Sequence, residues 1–93
     1  MSDAEARRLG ARIADLKSLI AGQRSNAEDQ DRRARLLADD ARSQKDRGRY
    51  VEGTDLERQA EELRRSAENT RRNMWRLENE LKGLERQLSS MRR

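Results

Sequence analysis

Arg47-Gly48-Arg49-Tyr50-Val51-Glu52-Gly53 decides the architecture, because it separates two runs whose apolar residues keep heptad spacing without sharing a phase. Before it, Ala6, Leu9, Ile13, Leu16, Ile20, Gln23, Ala27, Gln30, Ala34, Leu37, Ala41 and Gln44 alternate steps of three and four, the spacing of positions a and d in a coiled coil. After it, Leu56, Ala60, Leu63, Ala67, Thr70, Met74, Leu77, Leu81, Leu84, Leu88 and Met91 do the same. Extending the first run puts Val51 at position d, whereas the second has Leu56 there, five residues on instead of seven. On one continuous helix the stripes would be offset by roughly 140° and could not face one partner. The interruption therefore reads as a reversal.

Two of the five glycines and the only tyrosine lie in this stretch. Gly48 suits the left-handed residue that ends a helix, and Thr54 with Glu57 three residues on reads as a capping box for the next one. Ser2 with Glu5 is the same signature at the start of the chain. Ser25 and Glu28 after Gly22 form a third, but the heptad phase passes through undisturbed, so the first helix is expected to be continuous. The expected organisation is one unit: a helix over about 3–47, a loop over about 48–54 and a helix over about 55–91.

A short connection folds two helices back as an antiparallel pair, here a rod of roughly 60 Å. The fold class is all-α, an antiparallel two-helix coiled-coil hairpin. Residue numbers summing to about 100 or 101 would be paired, setting Ile13 with Leu88 and Ile20 with Leu81, and bringing Lys17 to Glu85, Arg24 to Glu78 and Asp31 to Arg71. A sum of 97 would set Arg24 against Arg71 and is disfavoured on that ground. Near the termini the core is Leu and Ile against Leu and Met. Toward the loop Gln23, Ala27, Gln30, Ala34, Ala41 and Gln44 face Ala60, Ala67 and Thr70, which bury little. This deficit predicts completion into a three- or four-helix bundle, by self-association, a homodimer first, or by a helical partner protein. Its contacts would be Trp75, Leu19 and Leu36 off the seam, with the stretch carrying Gln23, Ala27, Gln30 and Ala34.

Position f of the second helix reads Arg58, Arg65, Arg72, Asn79, Arg86, Arg93, and this row supports an alternative reading as a nucleic-acid-associated protein. Against it, Glu61 precedes Arg65 and Glu68 precedes Arg72 by four residues, the favourable order for helix ion pairs, and no aromatic residue lies within the row to stack on bases. The 22 Lys and Arg against 18 Asp and Glu leave a net charge of +4. Each half of the chain, cut after Arg47, carries 11 basic and 9 acidic residues, so neither is a basic arm. Arginine outnumbers lysine 19 to 3, a bias in keeping with a bacterial or phage genome.

With no cysteine or histidine in 93 residues there is no disulfide framework, imidazole base, thiol nucleophile or usual zinc site. Asp39-Asp40 and Glu61-Glu62 are adjacent carboxylates, which point about 100° apart on a helix and converge on nothing. The chain is therefore expected to be no enzyme and to need no metal or other cofactor. The longest apolar runs are three residues, Leu19-Ile20-Ala21 and Leu36-Leu37-Ala38, which predicts no membrane insertion and a soluble, cytoplasmic protein.

The outline, a helical hairpin of this length without cysteine, is similar to the small substrates and partners of bacterial type VII secretion. Those families carry a Trp-x-Gly turn and a Tyr-x-x-x-Asp/Glu tail. Here the turn reads Tyr50-Val51-Glu52-Gly53, Trp75 lies inside the second helix and the chain ends Ser89-Ser90-Met91-Arg92-Arg93, so the resemblance covers the plan alone. It implies a secretion partner or substrate as a further alternative.

Overall fold

A computed structural model describes residues 2–92 as two helices, α1 (Asp3–Asp46) and α2 (Tyr50–Met91), folded into a hairpin 70 Å long and 14 Å across. The radius of gyration is 20.6 Å, against about 12 Å for a compact chain of this length. Ser2 caps α1, its hydroxyl accepting from the Glu5 N–H at 3.3 Å. The helix runs unbroken through Gly22, as the undisturbed phase requires.

The reversal takes only Arg47, Gly48 and Arg49. Gly48 has φ +80°, its N–H donates to the Lys45 carbonyl at 2.9 Å, and the Arg49 N–H donates to the Gln44 carbonyl at 2.8 Å. This pair of bonds is the Schellman closure, which satisfies carbonyls that the helix end would leave free. Because the chain turns so tightly, α2 starts five residues earlier than the expected 55. The Thr54 capping box does not form: Thr54 lies inside α2, Glu57 ion-pairs with Lys45, and the N-cap is Arg49, which offers no side-chain bond. Gly53 is not a turn residue either. It is buried at position a of α2, where a Cβ would lie 2.6 Å from Lys45 Cγ and 3.0 Å from the Ala41 carbonyl oxygen. Its missing side chain lets the helices close on each other just past the turn.

Cross-helix contacts on both edges of the hairpin fix the register. On one edge Arg24–Glu78 and Asp31–Arg71 have numbers summing to 102, and on the other Arg12–Glu80 sums to 92. Level positions lie midway, at a sum near 97, which also fits the turn centred on Gly48 and the approach of Gly53 to Ala41 and Lys45. The expected pairing at 100 or 101 is thus displaced. Arg24 does not meet Arg71, because it reaches along the rod to Glu78, about five residues from level, as Arg12 reaches the opposite way to Glu80 on the other edge. The expected ion pairs of Arg24 and Asp31 form by this diagonal, while Lys17 and Glu85 border one shallow groove without closing.

This register sets small residues opposite larger ones. Ala41 is level with Leu56, Leu37 with Ala60, Ala34 with Leu63 and Ala27 with Thr70. The loop half is therefore closed: Ala27, Ala34, Ala41, Ala60 and Ala67 are all buried. In the terminal half Ile13, Leu16 and Ile20 are buried, Leu16 completely. Near the middle, Thr70 Oγ1 lies 3.0 Å from Gln30 Oε1 and 2.9 Å from the Ser66 carbonyl, sharing its one proton between them.

Candidate helix-docking faces

A two-helix ribbon has two broad faces, one bordered by position e of both helices and one by position g. The e face is laced by ion pairs between the helices: Arg24 to Glu78 at 3.7 Å, Asp31 to Arg71, and Lys45 to Glu57. Among the described residues the g face has a single one, Arg12 to Glu80 at 2.9 Å. The g face is also the more open. On α1 every position a from Ile13 to Ala41 is buried, whereas of the d positions, which flank g, only Leu16 is. On α2 Leu56, Leu63, Leu77, Leu84 and Met91 at position d remain half-buried. Along α2 this face mixes uncharged polar residues, Gln59, Ser66, Asn69, Asn73 and Gln87, with the charges of Glu62, Arg76 and Glu80 among its g and c residues.

The residues expected to meet a partner divide between the faces. Leu19 and Leu36, 49% and 63% exposed, lie on the g face at positions g and c, and the half-buried Gln23 and Gln30 at position d open toward the same side. Trp75 is 66% exposed at position b and belongs to the e face. One flat partner therefore cannot cover Trp75 and the two leucines together. Ala27 and Ala34 are sealed between the helices, 3% and 1% exposed, and offer no surface to a third helix. Their expected partner contact is not available, since the register fills the space beside them from within.

Two exposed apolar residues were not singled out by the sequence reading. Tyr50 and Val51, 66% and 82% exposed, form the first turn of α2 at the tip of the rod. Their assignment to a loop hid them. A run beginning directly after the left-handed glycine would have shown them as helical.

The arginine row at position f faces outward and is neutralised along much of its length. Arg58 reaches Asp55 at 3.4 Å, Arg65 reaches Glu61 at 3.9 Å and Arg72 reaches Glu68 at 3.1 Å, while Arg86 Nε donates to the Lys82 carbonyl at 3.3 Å. The pairings of Glu61 with Arg65 and Glu68 with Arg72 are those expected from the spacing. Arg93 lies outside the described residues. Among the described residues no three Asp or Glu side chains gather as metal ligands do, and no helix is long and apolar enough to cross a membrane.

Comparison with protein-family models, with curated proteins and with solved structures finds no match to this chain.

Proposed function

We propose that this chain is a non-enzymatic coiled-coil assembly module of the cytoplasm, which works by burying its open g face against helices of a second molecule. The supporting observation is surplus surface. The hairpin exposes 7013 Å², whereas a compact chain of 10.9 kDa exposes about 5,600 Å². The difference, about 1,400 Å² per chain, would give an interface of about 2,800 Å² between two such molecules, within the range of obligate homodimers. That surplus includes the half-buried leucines at position d and the exposed Leu19 and Leu36, side chains whose burial stabilises by about 1.5–3 kcal/mol each when complete.

The test is the concentration dependence of thermal unfolding, read with mass by light scattering. A self-associating module gains stability with concentration by mass action, so the melting temperature rises between about 1 and 100 μM and the mass is a multiple of 10.9 kDa. Leu19→Glu with Leu36→Glu removes that rise. A single-chain mass with a sharp, concentration-independent melt would show the hairpin sufficient to itself and overturn self-association.

A further inference from the structure

The geometry points to one occupant of the g face: a second copy of this chain, running antiparallel, on a two-fold axis that passes between Asn26 of α1 and Asn69 of α2. The inference rests on the assembly reading above and gives it a partner, a direction and a register. An isologous interface requires a surface complementary to its own reversed copy, so each residue row must match itself read backwards.

The g row of α1 does so about Asn26. Seven residues either side are Leu19 and Arg33, whose aliphatic stem covers a leucine well. Fourteen residues either side are Arg12 and Asp40, and twenty-one either side are Glu5 and Arg47, in each case opposite charges. On α2 the c row does the same about Asn69, with Glu62 and Arg76 seven residues either side. The d row of α2 is a palindrome about Thr70, with Leu63 and Leu77 and then Leu56 and Leu84 in symmetric places. The d row of α1 mirrors over its four inner positions, Leu16 with Leu37 and Gln23 with Gln30, and departs at Leu9 and Gln44. No pairing in these rows or in the remaining g and c positions sets like charges together.

Two independent observations strengthen the case. The mirror centres of the two helices come from separate stretches of sequence, yet the register near 97 sets Asn26 level with residue 71, within about two residues, or 3 Å, of Asn69 and Thr70. This height is close to the middle of α1, so two copies overlap along almost the whole rod. Second, among the described residues Glu5, Asp40, Arg47, Glu62 and Arg76 make no ion pair within the hairpin, in contrast to the neutralised arginines of the f row. The reversed copy brings Glu5 to Arg47 and Glu62 to Arg76, and it brings Asp40 to Arg12, which Asp40 shares with Glu80. At the centre Gln30, Thr70, Asn26 and Asn69 form a polar layer, the device that fixes register in helical assemblies.

The dimer constant, measured by sedimentation equilibrium, tests the pairing. Glu62→Arg and Arg76→Glu each put like charges at two symmetric places and weaken the dimer about tenfold, whereas the chain carrying both changes returns to within about threefold of the original. Asn26→Cys, in a chain with no cysteine of its own, oxidises to a disulfide-linked dimer with full helicity, and Trp75→Cys on the opposite face does not. An associating chain in which the charge exchange fails to restore binding, or in which Trp75→Cys links and Asn26→Cys does not, overturns this face and direction while leaving assembly itself standing. A chain that stays single at every concentration overturns both.

Discussion

Replacing Gly53 by alanine separates close helix contact from mere helix propensity, because the two act with opposite sign. In an open helical position the change removes glycine's entropy cost and stabilises by about 0.8–1.0 kcal/mol. Gly22 is such a position, with nothing within 4 Å of an added Cβ, and Gly22→Ala should gain about that amount. At Gly53 the added Cβ meets Lys45 Cγ at 2.6 Å and the Ala41 carbonyl oxygen at 3.0 Å. The first is near the root of its side chain and cannot move aside without a new χ1, which releases the Lys45–Glu57 ion pair, worth at most about 0.5 kcal/mol at this exposure. The second is backbone, so the helices must part. Overpacking of this kind costs about 1–3 kcal/mol, and with the lost ion pair added and the propensity gain subtracted Gly53→Ala should destabilise by about 0.5–2.5 kcal/mol. At about 4–8 °C per kcal/mol for a domain of this size, the two variants melt on opposite sides of the original protein. Urea and thermal unfolding followed by far-ultraviolet circular dichroism read the difference, with all three proteins at one concentration so that association does not contribute. If Gly53→Ala rises in stability beside Gly22→Ala, the close approach at the turn and the register built on it are wrong.

Leu16→Ala removes the one large side chain that is wholly inaccessible among the described residues, and the expected loss of about 2–5 kcal/mol is enough to unfold a hairpin this thin; retained helicity in dilute solution would contradict the seam placed here. Arg71→Ala breaks the ion pair with Asp31, whose side chains are 47% and 36% exposed, and should cost about 0.5 kcal/mol at low salt and nothing measurable at 1 M salt. A loss that persists at 1 M salt would show that Arg71 acts through packing of its stem and not through charge.

The hairpin itself was legible because its signals are local and agree: two heptad stripes out of phase, a left-handed glycine between them, and Ser2 at the first turn. Two features were not. Gly53 looks the same in sequence whether it relieves a turn or admits a neighbouring helix, and only the neighbour, Ala41 and Lys45, decides between them. Thr54 with Glu57 satisfies the pattern of a capping box, but the Schellman closure at Gly48 had already released the chain to start α2 at Tyr50. The register failed for a subtler reason. Ion pairs between positions e were expected to mark residues at one height, yet long side chains join across heights about five residues apart, upward on one edge and downward on the other, so Arg24–Glu78 forms in a register that level pairing would reject.

That displacement changes where the unfilled surface lies. Had the alanines of α1 faced those of α2, a groove beside Ala27 and Ala34 would have asked for a third helix from within the seam. With Ala34 level with Leu63 and Ala41 with Leu56, the seam closes on itself, and the unsatisfied apolar surface moves outward to the d rows and the leucines beside them. A bundle built on this chain therefore adds a second layer to a finished pair. The pair remains a separate folding unit whose own stability Gly53→Ala reports at low concentration, while Glu62→Arg weakens the layer and leaves the pair intact. Two variants with separable effects are what a layered assembly requires, and a bundle completed from inside the seam would couple them.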